Sequence, residues 1–144
     1  MQNQKSASCY VFGMEQVQNS DLYLKDFSDM FTGLAAKGIT NFYVGCTQGL
    51  ELCLLEYLIS MKKKRNVTVT AAITGTLEDD TKYWSSSTRE RLNEALNMAD
   101  TVLELKSAGI RERDYKISAL CEYIIVPEFK QVLCLKSQKQ NKGK

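Results

Sequence analysis

A strand, a glycine-bearing turn and a long helix follow one another without interruption between Gly38 and Lys64, and this unit constrains the fold more than any other stretch. Ile39 to Val44 is a short apolar and aromatic run, suited to a buried parallel strand. Gly45-Cys46-Thr47-Gln48-Gly49 is the turn. Leu50, Cys53, Leu54, Tyr57, Leu58 and Met61 then recur at helical spacing and make one apolar face. Leu52, Leu55 and Ile59 make a second apolar line beside it. A helix apolar nearly all round must be covered on two sides, by another helix or by a partner subunit. A homodimer through residues 50–61 is therefore expected. The turn itself has two readings. Free backbone N–H groups at a helix start can receive an anion. The plainer alternative is a tight turn that lets the helix pack on a sheet.

Similar units flank this one. Ser8 to Phe12 reads as a first strand, ended by Gly13, with Met14 to Asn19 as a loop. Asn19 or Ser20 can cap a helix whose inner face is Phe27, Met30, Phe31 and Leu34, closed by Gly38. Val67 to Ile73 is rich in β-branched residues and reads as a third strand. Thr74 to Trp84 reads as a polar loop carrying Glu78-Asp79-Asp80, an acidic cluster better suited to solvent than to a metal. Ser87-Thr88-Arg89-Glu90 has the capping-box pattern, which starts a helix near Thr88 with Leu92, Ala95, Leu96 and Ala99 inward. Thr101 to Leu105 is a fourth strand, and Arg111 to Leu120 a short helix with Ile117 and Leu120 inward. Tyr123 to Val126 is a fifth strand, stopped by Pro127, and Gln131 to Leu135 a last one. Strands alternating with helices at this spacing predict a Rossmann-like α/β fold: three layers, α/β/α, around a mostly parallel sheet of five or six strands. Residues 8–135 form the single domain, between a disordered stretch at 1–7 and a flexible basic tail at 136–144. Ligands of such sheets bind beyond the carboxyl ends of the strands, here Gly13, Gly45, Thr74 and Lys106. Gly13 and Gly45 are expected to face one crevice.

Composition excludes several chemistries. The chain has no histidine, so no Ser-His-Asp or Cys-His pair and no His-ligated metal can form. No metal is expected. Its 5 cysteines show no C-x-x-C spacing, and the polar start MQNQKSAS has no apolar core. A cytoplasmic protein with reduced thiols is the expectation. No run approaches the ~20 apolar residues that span a bilayer. A net charge of +2 is too small to indicate nucleic acid. Cys46 feeds a helix start, which can lower a thiol pKa. A small buried residue is the better reading.

Several pieces in order resemble the YpsA-like branch of the SLOG superfamily, the Rossmannoid group of DprA-like and LOG-like proteins. The resemblance runs from about Cys9 to Val126. Cys9-Tyr10-Val11-Phe12-Gly13 falls at the family's first strand and turn, and Gly38 to Gly45 at its second strand. Gly45-x-x-x-Gly49-Leu50-Glu51 matches the family's G-x-x-x-G-x-D loop, with Glu for Asp. Ala71-Ala72-Ile73, Lys82-Tyr83-Trp84, Arg89-Glu90-Arg91, Ala99-Asp100 and Arg113 follow in register. Two departures stand out. Phe12-Gly13-Met14-Glu15 replaces Thr-Gly-His-Arg, so an acid stands where the family has a cation. The family's Gly-Gly-Thr turn and last helix are missing after Val126, as is its phosphoribohydrolase motif.

The resemblance implies a binding or sensing module for a nucleotide or nucleotide-derived ligand, ADP-ribose-like compounds included, with no known cofactor. Gly13, Gly45, Cys46, Thr47, Gln48, Gly49, Glu51, Trp84 and Arg113 are the candidate ligand-binding residues. Thr47 and Gln48 would donate from their side chains, Arg113 would supply a cation, and Trp84 or Tyr83 a stacking face. Core or hinge packing for Trp84 and a surface ion pair for Arg113 are the structural alternatives. An N-glycosidic nucleotide hydrolase would need a carboxylate, for which Glu51 is the weak candidate. An acid at a helix start is also stabilising without any chemistry. The third expectation is a homodimeric interaction protein with a vestigial pocket.

Overall fold

The computed structural model describes residues 7–13, 20–107, 109–126 and 131–135. The elements run β1 (Ala7–Val11), α1 (Ser20–Ala36), β2 (Ile39–Gly45), α2 (Leu50–Met61), β3 (Thr68–Ile73), α3 (Leu77–Thr81), α4 (Ser86–Met98), β4 (Thr101–Glu104), α5 (Ile110–Ser118), β5 (Tyr123–Val126) and β6 (Gln131–Cys134). The expected loop at Met14–Asn19, Glu15, the stop at Pro127 and the basic tail lie outside the described residues.

The six strands form one sheet in the order β4-β3-β2-β1-β5-β6. All pairings are parallel except β5 with β6, which is antiparallel. From β1 to β4 each new strand is added on the same side. The chain then crosses back over the sheet and lays β5 against the other edge of β1. Parallel crossovers share one hand, so reversing the direction of travel changes the face on which the helix lies.

Two apolar clusters record this. On one face Phe27 and Phe31 of α1, Leu54 and Leu58 of α2 and Leu92 of α4 pack with Cys9, Val11, Phe42, Val44, Val69 and Ala71. On the other, Ile117 of α5 packs with Tyr10, Ala72 and Cys121, flanked by Tyr43 and Ile124. Alternate strand residues serve opposite faces, as the pleat requires. The chain is thus an α/β domain of the Rossmann-like three-layer type.

The second apolar line of α2 is accounted for within the chain. Leu52, Leu55 and Ile59 are buried, in the same cluster as the inner faces of α1 and α4. The helix is apolar all round because sheet, α1 and α4 all pack on it. That removes the observation from which a homodimer through residues 50–61 was expected. Leu55→Ala is expected to cost about 2–5 kcal/mol, as for other buried leucines. Its thermal midpoint should fall without depending on protein concentration. A midpoint that rises with concentration, in wild type and variant alike, would restore the dimer.

Most element ends fall within a residue of expectation, and four local differences have a clear cause or consequence. β1 begins at Ala7, inside the stretch expected to be disordered. The loop Thr74–Trp84 contains α3, started by the Thr76 side chain, which accepts the Asp79 N–H. Helix α4 begins at Ser86, because the Ser85 hydroxyl caps it by accepting the Thr88 N–H at 3.2 Å; the expected cap at Ser87 is already inside the helix. Leu120 is exposed rather than inward, since α5 ends at Ser118 and the chain turns before it.

Candidate functional site

At the carboxyl ends of the strands, Glu51 is the centre. It sits in the first turn of α2 and is fully buried. Arg113, in the first half of α5, is fully buried as well. The two form a bidentate pair, with Nη1 donating to Oε1 at 2.9 Å and Nη2 to Oε2 at 2.6 Å. This fork-to-fork geometry is the strongest form of such a contact. The Gly13 N–H donates to Oε2 at 2.9 Å. The Thr47 N–H and hydroxyl donate to Oε1 at 2.9 and 2.8 Å. One carboxylate thereby ties together the end of β1, the β2–α2 turn and α5.

Arg113 has a second partner. Its Nε and Nη2 reach Asp114 Oδ1 at 3.0 and 2.9 Å, and the Tyr10 hydroxyl donates to the same oxygen at 2.6 Å. Burial works against the Arg113 charge, but Glu51 outweighs it and the guanidinium is held more firmly protonated than usual. Burial pushes the Tyr10 phenol up, and the Asp114 hydrogen bond adds to this against the opposing pull of Arg113.

Gly45 explains why a glycine ends β2. A Cβ built there would run into Glu51 Oε1 and lie 2.6 Å from Arg113 Nη1. The requirement is for space, because Gly45 is not among the glycines of positive φ. Gly49 differs: with φ at 90° it takes the left-handed turn that starts α2.

Beside the ion pair lies a cleft of about 330 Å³. Its walls are Cys46, Thr47 and Gln48 after β2, Ala72, Ile73 and Thr74 at the end of β3, Asp80 and Trp84 from the α3 region, and Gly109 just before α5 with Ile110 and Arg113 within it. Five of the nine residues expected from the sequence therefore line one space: Cys46, Thr47, Gln48, Trp84 and Arg113. Glu51 lies behind the wall, and Gly13 and Gly45 contact it there rather than opening onto the cleft. Asp80, Gly109 and Ile110 were not anticipated. Asp80 Oδ2 accepts the Gly75 N–H at 3.1 Å.

The structure corrects one expectation, for Arg113, and bears out the buried reading of Cys46. Arg113 is in an ion pair, but a buried one, not a surface one. The Cys46 thiol is not activated: burial, and then the Glu51 charge, push it up to about 12. Trp84 packs against the core, the structural alternative given for it, and also lines the cleft. Among the described residues no group of His, Cys, Asp and Glu is arranged to hold a metal ion, and no helix is long and apolar enough to cross a membrane.

No protein-family model matches the chain, and no curated protein matches it at a significant level.

Proposed function

We propose that this domain binds a small nucleotide-derived molecule in the cleft beyond β2 and β3, as a binding or sensing module. The observation that carries the reading is the convergence of Thr47, Gln48 and Trp84 on one space at the carboxyl ends of parallel strands. Trp84 would supply an aromatic surface for a base, Gln48 a side-chain amide, and Thr47 its hydroxyl oxygen as an acceptor only, because its hydroxyl proton goes to Glu51. The volume is at the small end for such sites, about right for a nucleoside.

Binding is favoured over N-glycosidic hydrolysis by the state of Glu51. Its carboxylate accepts five hydrogen bonds on about four lone-pair directions, so none is free for a sugar. Hydrolysis would have to use Asp80 instead.

Thermal unfolding against adenosine, inosine, AMP, NAD and ADP-ribose tests the reading. A ligand at a hundred times its Kd should raise the midpoint by about 5–10 °C. Trp84→Ala should abolish the shift, measured relative to the variant's own midpoint. No shift for any compound at millimolar concentration would sink the proposal.

A further inference from the structure

The donors around Glu51 have the arrangement of an oxyanion site. Gly13 N–H, Thr47 N–H, the Thr47 hydroxyl and both Arg113 Nη groups converge on one pair of oxygens at 2.6–2.9 Å. They come from two strand-end loops and a helix, the places from which strand-end sites recruit phosphate ligands. Here the oxygens belong to the chain itself.

We propose that Glu51 is a built-in anion, filling an oxyanion cradle at the back of the cleft, so that the cleft takes its ligand through uncharged or positively charged groups. The surrounding charge agrees. Arg113 is the cation at this wall, and Glu51 and Asp114 already pair with it. Asp80 adds another carboxylate to the lining. A phosphate arriving there would meet carboxylates in excess and a guanidinium that already donates four hydrogen bonds to Glu51 and Asp114. Like charges brought together in a partly desolvated space cost several-fold more than in water. On the reading above, this fixes the ligand as nucleoside-like at this wall, without a phosphate directed at Arg113.

The cradle should become available when its occupant is removed. Glu51→Ala leaves the donors in place and empties the room of a carboxylate next to the cleft. The test compares thermal midpoints in sodium formate and sodium chloride at equal ionic strength, for wild type, E51A and E51A/R113A. Formate is expected to raise the E51A midpoint by about 5 °C at ten times its Kd, with no effect on wild type or on the double variant. Equal midpoints for E51A in the two salts would overturn the proposal, and so would an equal rise in the double variant. Should E51A not fold in chloride, its refolding yield reads the same property. Recovery in formate alone supports the cradle, and no recovery in either salt overturns it. None of these outcomes depends on whether a nucleoside binds.

Discussion

Arg113→Ala is expected to destabilise the domain by about 3–5 kcal/mol, the cost typical of removing one partner from a buried ion pair. At this chain length that lowers the thermal midpoint by roughly 10–20 °C. The cost arises from what is left behind. Without Arg113, Glu51 keeps its three remaining donors, from Gly13 and Thr47, but its charge stays buried without a counter-ion. The pair itself is a different matter. Removing both charges together, as in Glu51→Gln with Arg113→Met, should cost clearly less than the sum of the single changes. Such a double variant leaves no fully buried charge, since Asp114, which also loses Arg113, is partly exposed and keeps the Tyr10 hydroxyl. Urea unfolding of the four proteins gives the coupling directly. Additive losses would mean that the two side chains do not act as a unit, contrary to the geometry.

Gly45→Ala is the second large effect. One methyl group on the surface of a strand end would ordinarily be neutral. Here it would push into Glu51 Oε1 and Arg113 Nη1, both held by other partners. Overpacking typically costs about 1–3 kcal/mol, and loosening the ion pair adds to it, so a loss of about 2–4 kcal/mol is expected. The background decides the interpretation. In Glu51→Ala the clash with the carboxylate is gone and Arg113 Nη1, no longer held by it, is free to shift, so the further loss on adding Gly45→Ala should shrink to under about 1 kcal/mol. If Gly45→Ala costs the same in both backgrounds, the glycine is required for some reason other than the pair.

The elements were readable because each carries its own local signal. The period of α2, the β-branched run of β3 and the left-handed Gly38 after α1 are all properties of a few neighbouring residues. Where that signal was short, reading failed. Five residues of α3 are too few for a stripe, although Thr76 followed by Asp79 has the spacing of a cap. Leu120 continued the apolar spacing of α5 but lies beyond its end. The site was half legible. The turn from Gly45 to Gly49 was legible, because a glycine-bearing strand-to-helix turn is a local pattern, and three of its residues line the cleft. That Glu51 meets Arg113 was not legible, since 62 residues separate them and neither residue type suggests burial. Tyr10 and Asp114 were invisible for the same reason, at a separation of 104.

That separation has a kinetic side. The contacts of Glu51 with Gly13 and Arg113 span 38 and 62 residues, so they close only after β1, β2 and α5 have been brought together. The Thr47 contacts span 4 and are available early. Closing a long loop costs entropy before the contact returns anything. An interaction made late contributes little at the folding barrier and much to holding the finished structure. The loss from Arg113→Ala should therefore appear mainly as faster unfolding, with the folding rate nearly unchanged. The carboxylate behind the cleft would then act as a latch on the lifetime of the folded chain.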